Sequence, residues 1–232
     1  MPNPFETWTV LPHKPIVKLE DNLWFVEGRL GNIRRVMVMV RLKDGRLVIW
    51  NAIALEEPEM KELEAWGTPA FLIVPNAFHR VDARIWKQRY PKLTVIAPPA
   101  AKEKVSKIVQ VDRTDGEFGD DSVTFGAAPP TKGRDGVLEV KSAGGTTLVV
   151  NDILSNMRHG AGFGGFMFRM LGFTGPKPKL PPLVSMLLVK DKAGMKSWFE
   201  SEAQKPHKRI IVSHGDIIEA PAQALRDAAA NL

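Results

Sequence analysis

Cysteine is absent from this 232-residue chain, so disulfides, thiolate metal ligands and thiol nucleophiles are excluded, and any metal must be held by histidine and carboxylate. No stretch reaches the roughly 18–20 consecutive apolar residues of a membrane span. The N-terminal MPNPFETWTVLPHKPIVKLE also lacks the basic-then-apolar order of a secretory leader. A cytoplasmic location is the simplest expectation. Tyrosine occurs once. The formal net charge is +6, but the basic residues from Arg29 to Arg226 alternate with acids and form no long block. Nucleic acid is therefore not an expected partner.

What is present describes an ordinary globular chain, with 44% hydrophobic and 25% charged residues. A chain of this length suits one domain over residues 1–232 that buries well over half of its unfolded surface, leaving room for an internal site.

Leu23 to Val26, Arg35 to Leu42 and Arg46 to Trp50 are rich in Val, Ile, Met and Trp, and Lys43-Asp44-Gly45 between the last two predicts a hairpin turn. Glu56 to Trp66 spaces Leu55, Met60 and Leu63 for one face of a helix, and the wholly apolar Phe71 to Val74 predicts a buried strand. The chain then alternates: a helix at Ala83 to Tyr90, a strand at Leu93 to Ile96, a short helix at Pro99 to Val105 and a strand at Lys107 to Val111. Strands are expected again at Ser122 to Phe125, Gly136 to Lys141 and Thr146 to Val150, with Ala143-Gly144-Gly145 as a second hairpin turn. A helix at Lys190 to Gln204, a strand at Arg209 to Val212 and a helix from Pro221 to Ala230 close the chain. This is the rhythm of an α/β fold.

Between the β-rich halves, the glycine-rich and apolar segment 159–173 runs into a Pro/Lys stretch, and residues 155–183 have the character of a lid or contact insertion. A helix over Phe163 to Leu171 would cover the core or a subunit contact, as in a homodimer, through Phe166, Met167, Met170 and Leu171. A lid over a site, or a peripheral membrane contact aided by Arg158, Arg169, Lys177 and Lys179, remains open.

Chemistry in α/β folds gathers where strand tips meet loops. Three places qualify. They are Val74-Pro75-Asn76-Ala77-Phe78-His79-Arg80-Val81-Asp82, the strand Thr147 to Val150 ending on Asn151-Asp152, and Ile210-Ile211-Val212-Ser213-His214-Gly215-Asp216. In this order and spacing the three resemble the metallo-β-lactamase superfamily, in which a His-x-His-x-Asp-His strand end, a later Gly-Asp strand end and a final Gly-His turn follow one another. The opening Leu19 to Val26 and the strand Leu47 to Asn51, similar to the family's Asp-x-Gly strand, extend the likeness nearly end to end. Within the superfamily the chain is most similar to an uncharacterised bacterial branch, a domain of unknown function with Pro-Asn-x-x-His and His-Gly-Asp turns. The resemblance implies a four-layer αββα sandwich of two mixed sheets.

Carried over residue by residue, the resemblance implies a degenerate metal site. His79 matches the second motif histidine, placing Ala77 at the first, Val81 at the aspartate and Asp82 at the last histidine. The next family histidine falls near Pro129-Pro130-Thr131-Lys132, where there is none. Asp152 matches the carboxylate that bridges two metals and His214 the final histidine. The candidate ligands are therefore His79, Asp152 and His214, with Asp82 as a replacement. In the family, His79 would serve one metal and His214 the other.

Two function classes follow. One is a hydrolase of an ester, thioester, amide or phosphoester using one divalent ion such as zinc, manganese or iron. The other is a catalytically inactive relative or metal-free binding module, in which Asn51, Asn76 and Asn151 help to form a polar pocket for a small-molecule ligand. Ser213 is a weak nucleophile candidate, because its neighbour His214 points to the opposite face of an extended strand. His13, His159 and His207 are expected in loops without a role.

Overall fold

A computed structural model describes residues 3–159, 166–167, 169–170 and 172–232. Strands β1 (Val17–Glu20), β2 (Leu23–Leu30), β3 (Ile33–Arg41), β4 (Arg46–Trp50), β5 (Thr68–Ile73) and β6 (Thr94–Ile96) form one sheet in that order. The first four run antiparallel, and β4, β5 and β6 run parallel. Strands β7 (Val123–Ala127), β8 (Gly136–Ser142), β9 (Gly145–Val150) and β10 (His207–Val212) form the second sheet, in the order β10-β9-β8-β7. Here β9 and β10 are parallel and the other pairs antiparallel.

Both faces of the central strands are covered, which explains their nearly continuous apolar runs, whereas β7 and β8 leave Thr124, Gly126 and Lys141 exposed. In β3, Val36, Val38 and Val40 face the second sheet while Met37 and Met39 face outward. In β4, Val48 and Trp50 point inward and Leu47 and Ile49 outward, and Ile211 in β10 points inward between Ile210 and Val212. Helices α1 (Glu57–Trp66), α2 (Ala83–Arg89) and α3 (Lys102–Ser106) cover the outer face of the first sheet through Met60, Leu63, Trp86 and Val105. Helices α4 (Pro182–Leu188), α5 (Lys192–Glu202) and α6 (Pro221–Ala230) cover the second through Val184, Leu188, Phe199 and Leu225. The expected αββα sandwich of two mixed sheets is the fold observed. Trp50 lies fully buried between the sheets with Phe125 edge-on at 6.4 Å, and truncating such a side chain costs about 3–5 kcal/mol.

Several expected boundaries are corrected. Strand β2 continues past Val26 to Leu30 and turns at Gly31-Asn32, with Gly31 at φ 58°. Its polar end, Glu27, is paired with Lys14 and Arg34, so charge pairing rather than apolar alternation carries the strand onward. Lys107 to Val111 is not a strand. Val109 and Val111 pack in the core, but the side chain of Asp112 accepts from Val95 N at 2.8 Å, where a strand would have extended the ladder. Helix α4 begins at the end of the Pro/Lys stretch, within the expected insertion 155–183. Its proline at the first position supplies the pre-set φ a helix start requires. Much of the helix expected over 163–171 lies outside the described residues, including Leu171. Phe166, Met167 and Met170 are described and exposed, so these three do not cover the core. His207 opens β10 and is bonded to Glu202 at 2.9 Å, rather than lying in a loop. Among the described residues no helix is long and apolar enough to cross a membrane.

Candidate functional site

Four strands, β4, β5, β9 and β10, deliver the polar residues of the site from their carboxyl ends. Because they form two parallel pairs, the ends within each pair point the same way, and side chains beyond them converge. Asn51 follows β4 directly. It adopts a left-handed conformation, φ 54°, which asparagine tolerates better than most residues. Its Nδ2 donates to Val36 O at 2.8 Å, which leaves Oδ1 to accept from His79 Nδ1 at 3.1 Å.

After β5, Asn76 is fully buried and acts in both directions. Its Oδ1 accepts from Phe78 N and His79 N at 2.8 and 3.2 Å, shaping the turn that projects His79. Its Nδ2 donates to Asp135 Oδ1 at 2.9 Å and to Asp152 Oδ2 at 2.7 Å. Asp135 precedes β8 and is fully buried. It accepts from Asn151 Nδ2, Asp152 N and Ile153 N as well, at 3.1 to 3.2 Å, and so anchors the backbone that carries Asp152. Beyond β10, His214 donates from Nδ1 to Arg34 O at 2.5 Å. Gly215 behind it has φ 128° and lies so close to the Asn156 backbone that any Cβ would collide there.

The outcome is a tight triangle. His79 Nε2 lies 3.0 Å from Asp152 Oδ1, His214 Nε2 lies 3.2 Å from the same oxygen, and the two Nε2 atoms are 3.3 Å apart. His79 and His214, which the resemblance assigned to different metals, thus converge on one point with Asp152. Each Nδ1 faces an acceptor, which fixes the Nδ1–H tautomer in a neutral ring and turns the Nε2 lone pair inward. For a tetrahedral ion with Zn–N of about 2.0–2.1 Å, adjacent donors stand roughly 3.3–3.4 Å apart. The observed edges lie close to that spacing, so the residues present fit one divalent cation.

Electrostatics follow from burial and proximity. Burial works to raise Asp152, but the charges of His79 and His214 and their hydrogen bonds outweigh it and hold the carboxyl well below its usual range. For His214 burial opposes the charged form, yet the hydrogen bond and charge of Asp152 raise its pKa. Burial and the neighbouring Asp152 charge push Asp135 up to about 8, against the N–H groups that favour its ionised form.

Asp82 does not join the triangle. Its carboxylate is bound by Arg35 Nη1 and by Ala54 N at 3.1 Å, and no metal-binding group among the described residues includes it. A buried guanidinium on β3 claims it first. Ser213 is also spoken for, donating to Asn151 Oδ1 at 2.5 Å. His159 Nδ1 lies 2.7 Å from Thr174 Oγ1, outside the triangle. A second cluster, Glu139, Glu202 and His207, already has Lys205 Nζ at 2.8 and 2.9 Å from its two carboxylates. Asp135 and Arg35 were not legible as site residues. Asp135 sits in a plain Lys-Gly-Arg-Asp-Gly loop, and Arg35 follows Arg34 at the start of a strand that is otherwise largely apolar.

The triangle opens into a cavity of about 270 Å³ whose lining includes Arg35, Asn51, His79, Asp82, Asp152 and His214. The rest of the wall is apolar and includes Leu30 of β2, Ile33 of β3 and Leu183, Leu187 and Leu188 of α4. Apolar walls with a few convergent polar groups are the usual form of a small-molecule site.

No protein-family model and no curated protein matches the chain. Solved structures do. The metallo-β-lactamase FIM-1 from Pseudomonas aeruginosa in its mono-zinc form is 12% identical, with a TM-score of 0.58 over 95% of this chain and 97% of its own. A metallo-β-lactamase from Erythrobacter litoralis, with β-mercaptoethanol in its active site, is 14% identical, with a TM-score of 0.61 over 94% and 96%. One from Pontibacter korlensis is 12% identical, with a TM-score of 0.62 over 95% and 100%. At such identities the likeness is one of architecture, and it extends over almost the whole of both chains: this protein has the metallo-β-lactamase fold.

Proposed function

We propose that the chain is a metal-dependent hydrolase in which His79, Asp152 and His214 hold a single divalent ion, with zinc, manganese or iron as candidates and an ester, thioester or phosphoester as substrate class. The observation that carries this reading is the triangle of Nε2, Nε2 and Oδ1 atoms 3.0 to 3.3 Å apart, with both Nδ1 atoms engaged elsewhere. A bound divalent ion supplies Lewis acidity, polarising a carbonyl or phosphoryl bond and making water acidic near neutrality.

The protein's own part is positioning. Asn51 and the Arg34 carbonyl orient the two rings. Asn76 takes the second oxygen of Asp152, so only Oδ1 faces the histidines. Asp135 holds the backbone beneath, and the apolar walls from β2, β3 and α4 limit water around the reacting group. Carboxylates and rings fixed in this way lose little freedom on binding.

The test is metal analysis of the purified chain after reloading with each metal and desalting, beside His214→Ala and Asp152→Asn variants. About one equivalent of one metal, lost in both variants, with turnover of a thioester or phosphodiester in a screen, is the expected result. No retained metal in the wild-type chain would overturn the reading in favour of a metal-free binding protein.

A further inference from the structure

Arg35 is more than a structural partner of Asp82. We infer that it is the anion-binding residue of the cavity, and that the ligand is a small molecule with an oxyanion group, carboxylate or phosphate, joined to an apolar moiety. The inference deepens the hydrolase reading by naming its substrate class, but it rests on different residues.

Arg35 is 6% exposed, and its guanidinium donates from Nη1 to Asp82. Its Nε and Nη2 are buried and find no acceptor among the described residues. Asp82 is not free to serve them all, because its other oxygen accepts from Ala54 N. Arginine is always charged and carries five N–H donors in a planar fork. Buried donors in folded proteins almost always have partners, so two unmatched on one guanidinium call for an explanation. Arg34 and Arg209 each have one such nitrogen, Arg35 has two, and Arg35 is the one of the three that lines the large cavity.

Asp82 fixes the fork by its Nη1 edge, which pre-orients the remaining donors at little further loss of freedom. A carboxylate or phosphate is the ligand group whose geometry matches such a fork. The same cavity holds the His79, Asp152 and His214 triangle, so a ligand anchored at Arg35 lies beside those groups. Leu30, Ile33, Phe78, Leu183 and Leu187 offer the rest of the ligand only apolar contacts. At about 270 Å³ the space suits a small amphiphile rather than a polymer.

The experiment is calorimetric titration of the full chain, kept in chelator so that no metal contributes, with octanoate, octyl phosphate and 1-octanol. The wild-type chain is expected to bind at least one of the anions about tenfold or more tighter than the alcohol, as befits a charge-assisted hydrogen bond. In an Arg35→Met/Asp82→Asn double variant, which removes both charges and keeps an acceptor for Ala54 N, that preference should vanish while octanol binding is retained. Should the double variant fail to fold by circular dichroism, Arg35→Lys keeps the ion pair but loses the fork, and it is expected to weaken anion binding by about tenfold. Which anion binds tighter identifies the oxyanion. Equal binding of anions and alcohol by the wild-type chain overturns the inference, and so does an anion preference that survives in the folded variant. A chain that retains no metal overturns the hydrolase reading alone, because this titration needs none.

Discussion

Replacing Asn76 with alanine removes four hydrogen bonds from a fully buried position. Two run to the carboxylates of Asp135 and Asp152, and two hold the Phe78 and His79 amides. Near neutrality Asp152 is ionised but Asp135, raised to about 8, is mostly protonated, so one bond to a charged group at about 1.5–3 kcal/mol and three neutral ones at about 0.5–1.5 bring the loss to about 3 kcal/mol at the lower limits. That is a large part of the roughly 5–15 kcal/mol that stabilises a folded domain. At about 2–4 °C per kcal/mol for a chain of this size, the melting temperature should fall by about 6–12 °C. Urea unfolding and differential scanning fluorimetry of the metal-free protein measure both quantities. The same change should loosen the turn that presents His79, so the variant ought to bind metal more weakly even where it is folded. A loss under about 1 kcal/mol would refute the reasoning, since Asn76 would then not be bracing the two carboxylates.

Two further outcomes follow from the geometry. Asn51→Ala leaves every proposed ligand in place but frees the His79 ring, so competitive chelator titration should show metal affinity reduced by about 10–100-fold; unchanged affinity would mean that Asn51 does not orient the ring. The stability of the metal-free protein should depend on pH with a sign set by each group. Asp152, lowered in the folded state, stabilises above the unfolded carboxylate value and loses its effect as pH falls through its folded value. His214, raised from 6.5, and Asp135, raised to about 8, stabilise at low pH and lose their effect as pH rises through their folded values. Thermal melts should therefore peak near about pH 4, where Asp152 has gained its effect, and decline from there toward pH 9 as first Asp135 and then His214 lose theirs. A flat profile would show that the triangle is not proton-linked to folding.

The architecture was legible because the central strands are covered on both faces, so runs such as Val36 to Val40 and Val48 to Trp50 announce buried strands regardless of which face each residue serves. The strand-end histidines and Asp152 were legible by position. Their common focus was not, since it depends on how β5, β9 and β10 are brought together across separations of 73 and 135 residues. Asp135 and Arg35 escaped for a related reason. Neither has a local pattern, and each acquires its role only from partners far along the chain, Asn76 and Asp82. Asp82 shows the reverse failure, in which a position matched to a ligand is occupied by a tertiary ion pair that spacing alone cannot reveal.

The provenance of the site residues has a consequence for folding. Asn51, Asn76 and His79 come from the six-stranded half and Asp135, Asp152 and His214 from the four-stranded half, so the triangle exists only once the halves have docked. Whatever occupies it ties the halves together and binds the native state selectively, deepening the native basin with the logarithm of its concentration above the dissociation constant. Occupancy should therefore slow the separation of the halves that exposes the inter-sheet core, and resistance to proteolysis becomes a measure of ligand binding in which the substrate need not be known.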